Sequence, residues 1–255
     1  MVFLKWVIRP YLYIQYFFQK FTKQGAFGAD QAVYIKKPCK NTGNFLKDGL
    51  FKYHVKQFHE SSCSVASIVS VVNTLLERQG SLNGTCVTQQ DLLEKVKTAH
   101  WKERMSDNGY KGRRGLPLHT LGKVLKASLK AYDIPYQSVE IVQTTGDPAK
   151  LKNTRKLLRD RLEQFEKKSN CLIISHFDQG SFIKDLHIPH ISPVGGFDPV
   201  SGRVTLLDVD STQAWPYQVS FDTFYKGLSY NYNFIFRKFG YAEGGYVCLT
   251  LYAKL

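Results

Sequence analysis

Behind Ser61 and Ser62, apolar residues recur at helical spacing (Val65, Ala66, Ile68, Val69, Val72, Leu75, Leu76) until Gly80. Serine caps a helix start and glycine a helix end. The apolar positions lie nearly all round, so this helix is expected at the centre of the fold. Two further helices are signalled by Gln89 to Ala99 and by Leu116 to Ala131, where Leu118, Leu121, Val124, Leu125 and Leu129 mark one face. Residues 148–168, rich in Lys, Arg and Glu, predict a solvated amphipathic helix. From residue 170 the period shortens. Cys171 to Ser175, His190 to Phe197, Arg203 to Val209, Tyr230 to Phe239 and Gly245 to Tyr252 are short β-rich runs separated by turn residues. Helices first and strands later predict an α+β fold with an antiparallel sheet, not a parallel, doubly wound one.

Composition adds size and charge to this picture. The chain has 255 residues, 43% hydrophobic and 22% charged, enough for a substantial core and against disorder for most of its length. No repeat or Pro- or Ser-rich linker divides it. The expected organisation is an arm over 1–45 and one domain over 46–255, with a helical lobe to about 168 and a sheet lobe from about 169. Lys and Arg number 35 against 21 Asp and Glu, a formal charge of +14, which points to an anionic partner. Residues 1–21 hold eight aromatics interrupted by Lys5, Arg9 and Lys20. That is the composition of an interfacial membrane anchor, or of an arm whose rings dock on the protein's own body. The uncharged run from Pro10 to Gln19 is about half a bilayer span, which argues against a transmembrane helix. Ala26-Phe27-Gly28 leaves a signal-peptide reading open. A cytoplasmic location is favoured, with periplasmic or peripheral-membrane locations as alternatives.

Candidate chemistry centres on cysteine. The five cysteines (39, 63, 86, 171 and 248) include no CxxC pair, so neither a disulfide framework nor structural zinc is expected. Cys63 opens the central helix, where unpaired N–H groups and the helix dipole favour a thiolate. The other four are expected to be small buried hydrophobes. His190 and Asp208 lie on runs flanking Asp198-Pro199-Val200-Ser201-Gly202, a hairpin turn. If Phe197 faces Arg203, then His190 lies opposite Asp210 and one diagonal step from Asp208, all on one sheet face. An imidazole between a thiolate and a carboxylate is the arrangement that nucleophilic cysteine catalysis requires. His176 and His187 are the weaker competitors for the imidazole role. Gln57, on the segment leading to Cys63, can aim an amide N–H at a tetrahedral oxyanion beside the Cys63 backbone N–H.

In this order the residues resemble papain-like cysteine peptidases and, within them, the phytochelatin synthase family. The matching stretches run from His54 through Gln57 and Cys63 to Leu75, from Arg114-Gly-Leu-Pro-Leu-His-Thr-Leu to Gly122, and from His190-Ile-Ser-Pro-Val-Gly to Gly196 with Leu207-Asp-Val209. The resemblance implies a papain-like fold and acyl transfer from glutathione-like γ-glutamyl peptides. In that scheme Cys63 is the nucleophile, His190 the general acid and base, Asp208 its orienter and Gln57 the oxyanion donor. Glycine leaves, and a γ-Glu-Cys thioester is resolved by water or by a second peptide. The chain ends at Leu255 without the Cys-rich extension of plant members, so hydrolysis is expected to prevail. No cofactor and no protein-bound metal are expected; a heavy-metal ion would enter only complexed with the peptide thiol. Ser64, Asp210 and Ser211 are the expected substrate contacts. Ser64 stands where the family has glycine, Ile188-Pro189 where Gly-Gly often precedes the histidine, and Ser211 at a family arginine. Loss of that guanidinium removes a bidentate carboxylate anchor and opens the substrate to a different peptide or amide.

Two rivals remain. One is a papain-like peptidase or deamidase acting on a protein, placed at a membrane by the basic, aromatic N-terminus. The other is a non-enzymatic basic module binding nucleic acid or anionic lipid through Lys111, Arg113, Arg114 and the 151–168 helix. The second lacks any nucleic-acid motif, so no nucleic-acid partner is expected.

Overall fold

The computed structural model describes residues 32–36, 42–82, 84–183, 187–230 and 244–252, with Pro10 and Ile14. Nearly all of the aromatic 1–21 segment, Cys39, and residues 231–239 of the fourth expected β run lie outside the described residues. Among the described residues the fold is α+β. Its helices are α1 (Phe45–Lys52), α2 (Cys63–Gln79), α3 (Gln89–Lys95), α4 (Trp101–Arg104), α5 (Leu118–Ala131), α6 (Pro148–Lys168) and α7 (Phe221–Leu228). The strands are β1 (Val33–Tyr34), β2 (Ser138–Gln143), β3 (Cys171–Asp178), β4 (Pro189–Asp198), β5 (Arg203–Leu206), β6 (Tyr217–Ser220) and β7 (Gly245–Thr250). They form one sheet in the order β1-β6-β5-β4-β3-β7-β2, antiparallel at every pairing.

Helix α2 is the centre that its pattern predicts. Every residue from Cys63 to Leu76 is buried, and Gly80 ends the helix in the left-handed region at φ 72°. Its hydroxyls are satisfied within the core: Ser67 Oγ donates to the carbonyls of Cys63 (2.8 Å) and Ile191 (3.1 Å). That second bond ties the first turn of α2 to β4. Helix α6 buries only Leu158, Leu162 and Phe165, one stripe at i, i+4 and i+7, and leaves its charges to solvent and ion pairs. In one of these, Arg161 Nη2 donates to both carboxylate oxygens of Glu140 on β2, at 2.8 and 2.7 Å.

Several elements depart from the expected plan. β2 lies between two expected helices, within the lobe expected to be mainly helical, and pairs with β7 at the sheet edge. Val33–Tyr34, within the stretch assigned to an arm, pairs with β6 at the opposite edge. The helix expected over Gln89 to Ala99 stops at Lys95, and Ala99 and His100 take positive φ before α4 begins. The hairpin register carries a bulge between Val194 and Gly196. Near the turn Asp198, not Phe197, faces Arg203, whereas beyond the bulge Val194 faces Leu206, the alignment expected from the sequence. A Cβ at Gly195 would stand 2.7 Å from Leu207 Cγ, so a side chain there would collide with Leu207. The turn itself projects outward, with Val200 95% exposed.

Gly245 marks the tightest backbone approach of β7. It takes φ 150°, and a Cβ would lie 2.2 Å from the Val142 carbonyl oxygen. Gly245→Ala is therefore expected to cost about 2 kcal/mol or more, through strain and overpacking together. A thermal melt should fall by roughly 4 °C or more. Gly146→Ala, where the added methyl meets nothing within 4 Å, is the control expected to leave the midpoint unchanged.

Candidate active site

Cys63 occupies the first position of α2. Ser62 precedes it as N-cap but makes no side-chain bond to the first turn. Its hydroxyl turns back instead, donating to the His59 carbonyl at 2.8 Å and accepting from the His59 N–H at 2.9 Å. The leading N–H groups of α2 are thus left uncapped by side chains beside the sulfur.

His190 reaches this sulfur from β4. Its Nε2–H donates to Asp208 Oδ1 at 2.7 Å, and the Cys63 side chain lies close enough to favour the charged ring. The ring and the carboxylate are both buried. Burial disfavours the imidazolium, but the Asp208 charge, the bond to it and the Cys63 side chain outweigh burial and raise His190 to about 10. Burial likewise opposes ionisation of Asp208. His190, the Tyr217 hydroxyl and a backbone N–H overcome it and hold the carboxyl down at about 2. Tyr217 Oη donates to Asp208 Oδ2 at 2.6 Å, and the Asp210 N–H donates to Oδ1 at 2.9 Å. Tyr217 is itself pushed well above the usual tyrosine range, first by burial and then by Asp208, so it serves as a donor.

Gln57 is brought to the same place by backbone pairing. Its N–H donates to the Val209 carbonyl at 2.8 Å, while His54 Nε2–H (3.1 Å) and Lys56 Nζ (2.6 Å) donate to the Asp208 carbonyl. Gln57 Oε1 is buried and accepts no hydrogen bond, so this end of the amide is uncommitted. Burial, reinforced by the Lys56 charge, lowers His54 to about 4 and keeps it neutral.

Gln57, Cys63, His190, Asp210 and Ser211 line one open cleft of about 1240 Å³ between the start of α2 and the β4 side of the sheet. Asp208 stands behind His190, away from the cleft lining. Of the expected substrate contacts, Ser211 is exposed at the rim. Asp210 is braced there: Oδ2 accepts from Gln179 Nε2 at 2.7 Å, and Oδ1 accepts from the Thr212 N–H and hydroxyl at 2.9 Å each. Ser64 is a correction. It is fully buried behind the cleft, where its hydroxyl accepts the Trp101 indole N–H at 3.0 Å, because the second position of α2 faces α4.

The competing histidines are placed otherwise. His187 donates from Nδ1 to Asp178 Oδ2 at 2.5 Å and stacks on Tyr230. His176, opposite Ile191 on β3, reaches the cleft wall but is held neutral near pKa 4, first by burial and then by the His190 charge. Cys171 and Cys248 are buried as expected, outside the cleft. Cys86 is exposed, contrary to the expectation of burial, because it lies in the irregular segment before α3. Among the described residues no three His, Cys, Asp or Glu side chains form a metal-binding group, and no helix is long and apolar enough to cross a membrane.

The sequence reading missed Tyr217, His54 and Lys56 as braces of Asp208. Tyr217 follows Trp215-Pro216 on a four-residue strand, and nothing in spacing alone aims its hydroxyl at residue 208.

A helix-borne sulfur facing a strand-borne imidazole that is backed by a carboxylate, at the junction of helices and an antiparallel sheet, defines the papain-like class. The family model for phytochelatin synthase matches residues 38–234, most of the chain, and the chain belongs to that family. Membership points to cysteine-dependent γ-glutamylcysteine transfer or hydrolysis on glutathione. No curated protein matches the sequence.

The His190–Asp208 pair links stability to pH. His190 is raised from 6.5 to about 10, so its contribution is full below 6.5 and is lost as pH rises toward 10. Asp208 is lowered from 3.8 to about 2, so its contribution is full above 3.8 and is lost as pH falls toward 2. The stability gap between wild type and Asp208→Asn, measured by denaturant titration, should peak between about pH 4 and 6.5 and shrink on both sides. A gap that is flat from pH 4 to 10 would contradict the pairing.

Proposed function

We propose that the protein cleaves glutathione-like γ-glutamyl peptides at the Cys–Gly amide, with Cys63 as nucleophile. The Cys63 sulfur sharing one cleft with an imidazole that is itself held by a buried carboxylate carries this reading. The thiolate attacks the carbonyl carbon, and the oxyanion is met by the Cys63 backbone N–H and the Gln57 amide. His190 then gives its proton to the departing glycine nitrogen, leaving a γ-Glu-Cys thioester on Cys63. In the second half His190 takes a proton from the acceptor, which attacks the thioester and frees the sulfur. Asp208 keeps the ring oriented and stabilises its charged form throughout. Asp210 and Ser211, at the rim, contact the peptide.

Water is proposed as the principal acceptor. Transfer would require a second anionic peptide beside the first, and among the described residues lining the cleft there is a single lysine or arginine, Arg114. Product masses decide this point: γ-Glu-Cys for hydrolysis, the dimer-extended peptide for transfer.

Cys63→Ala should reduce glycine release by about 10³-fold or more with the fold intact. Gln57→Ala should lower kcat by about 10²- to 10³-fold. Cys248→Ala should turn over at the wild-type rate and lose about 1 kcal/mol of stability. Wild-type protein that labels at Cys63 with iodoacetamide, releases no glycine from glutathione and instead processes a protein would establish the peptidase or deamidase alternative.

A further inference from the structure

We propose that Arg114 is the carboxylate anchor of the cleft and selects for anionic peptides. The inference rests on reading the cleft as a peptide-binding site. A γ-glutamyl peptide with a C-terminal glycine brings two carboxylates, one at each end, and a partly desolvated carboxylate needs a cation. Among the described residues lining the cleft, Arg114 is the only lysine or arginine, whereas Glu60, Asp107 and Asp210 add negative charge.

Arg114 is carried by a tightly folded stretch of backbone. Tyr110 and Arg113 exchange backbone hydrogen bonds of 3.0 and 2.9 Å, and the Gly115 N–H donates to the Arg104 carbonyl at 3.3 Å. Gly109, at φ 62°, lies under the side chain: a Cβ there would stand 3.0 Å from Arg114 Cγ and 2.5 Å from the Arg113 carbonyl oxygen. The Arg114 stem therefore runs over a glycine floor, with its side chain only 31% exposed. One of its partners is Glu60, at 3.2 Å, whose own side chain is 87% exposed. Solvated pairs of this kind contribute little, so an incoming carboxylate can replace Glu60 and accept both guanidinium N–H groups. The anchor comes from the segment between α4 and α5 and lines the same cleft as Cys63 and Ser211.

The test pairs side-chain and substrate changes on the full chain. Wild type, Arg114→Lys and Arg114→Ala are compared on glutathione, on its glycine amide, and on 4-aminobutanoyl-Cys-Gly, which lacks the γ-glutamyl α-carboxylate. Arg114→Ala should raise KM for glutathione roughly 10- to 100-fold with little change in kcat, and lysine should restore part of the loss. On the analogue missing the anchored carboxylate, wild type and Arg114→Ala should converge, which tells which end is held. An equal loss on all three peptides, or none, overturns the proposal. A readout without turnover separates this from the cleavage reading: protection of Cys63 from iodoacetamide by S-methylglutathione. Protection that is weakened in Arg114→Ala supports the anchor even if no glycine is released. Protection equal in the two proteins, or absent in both, sinks it.

Discussion

A fully buried carboxylate is costly unless every lone pair facing the protein is matched, and Asp208 meets that demand through three donors. His190 and the Asp210 N–H share one oxygen, and Tyr217 takes the other. The satisfaction of this one charge dictates much of the surrounding structure. The carboxylate fixes the orientation of the imidazole. Tyr217 must lie on a strand beside β5, which sets where β6 joins the sheet. The Asp208 carbonyl is gripped by His54 and Lys56, and this draws in the segment that carries Gln57. Chain segments far apart in sequence are thereby locked into one constellation, and the tie from Ser67 to Ile191 holds the helix end against it.

Much of this frame is legible in the sequence because it follows from periodicity. The all-round apolar run behind Ser62 announces a buried helix, and the β-rich texture after residue 170 announces an antiparallel sheet. His190 and Asp208 become candidates because a Pro- and Gly-containing turn lies between them. What escapes the sequence is long-range geometry. Helix α1 contains Gly49, which reads locally as a helix breaker. It is instead a packing requirement, since a Cβ there would lie 2.6 Å from Thr74 Cγ2 on α2. The alternation in Ser138–Gln143 is brief and flanked by helices, and only its six-residue pairing with β7 makes it part of the sheet. Ser64 invited a substrate role through its neighbour in sequence, yet successive helix positions point about 100° apart and its hydroxyl meets Trp101.

The cleft divides its labour by element. The proposed chemical groups come from regular structure, a helix start and a strand, and so are rigidly placed. The groups that would meet the peptide come from turns: Asp210 with its Gln179 and Thr212 braces, and Arg114 over Gly109. Papain-like chemistry can persist on such a scaffold while the rims are exchanged.

The bulge between Val194 and Gly196 has a practical consequence. It absorbs a one-residue mismatch in the ladder, so the register at the tip of the hairpin is set separately from that of the strand segment bearing His190. Residues 199–202 at that tip are therefore a natural place to mount a fluorophore or a surface-attachment tag. A reporter fixed there would leave the sulfur and its partners in register.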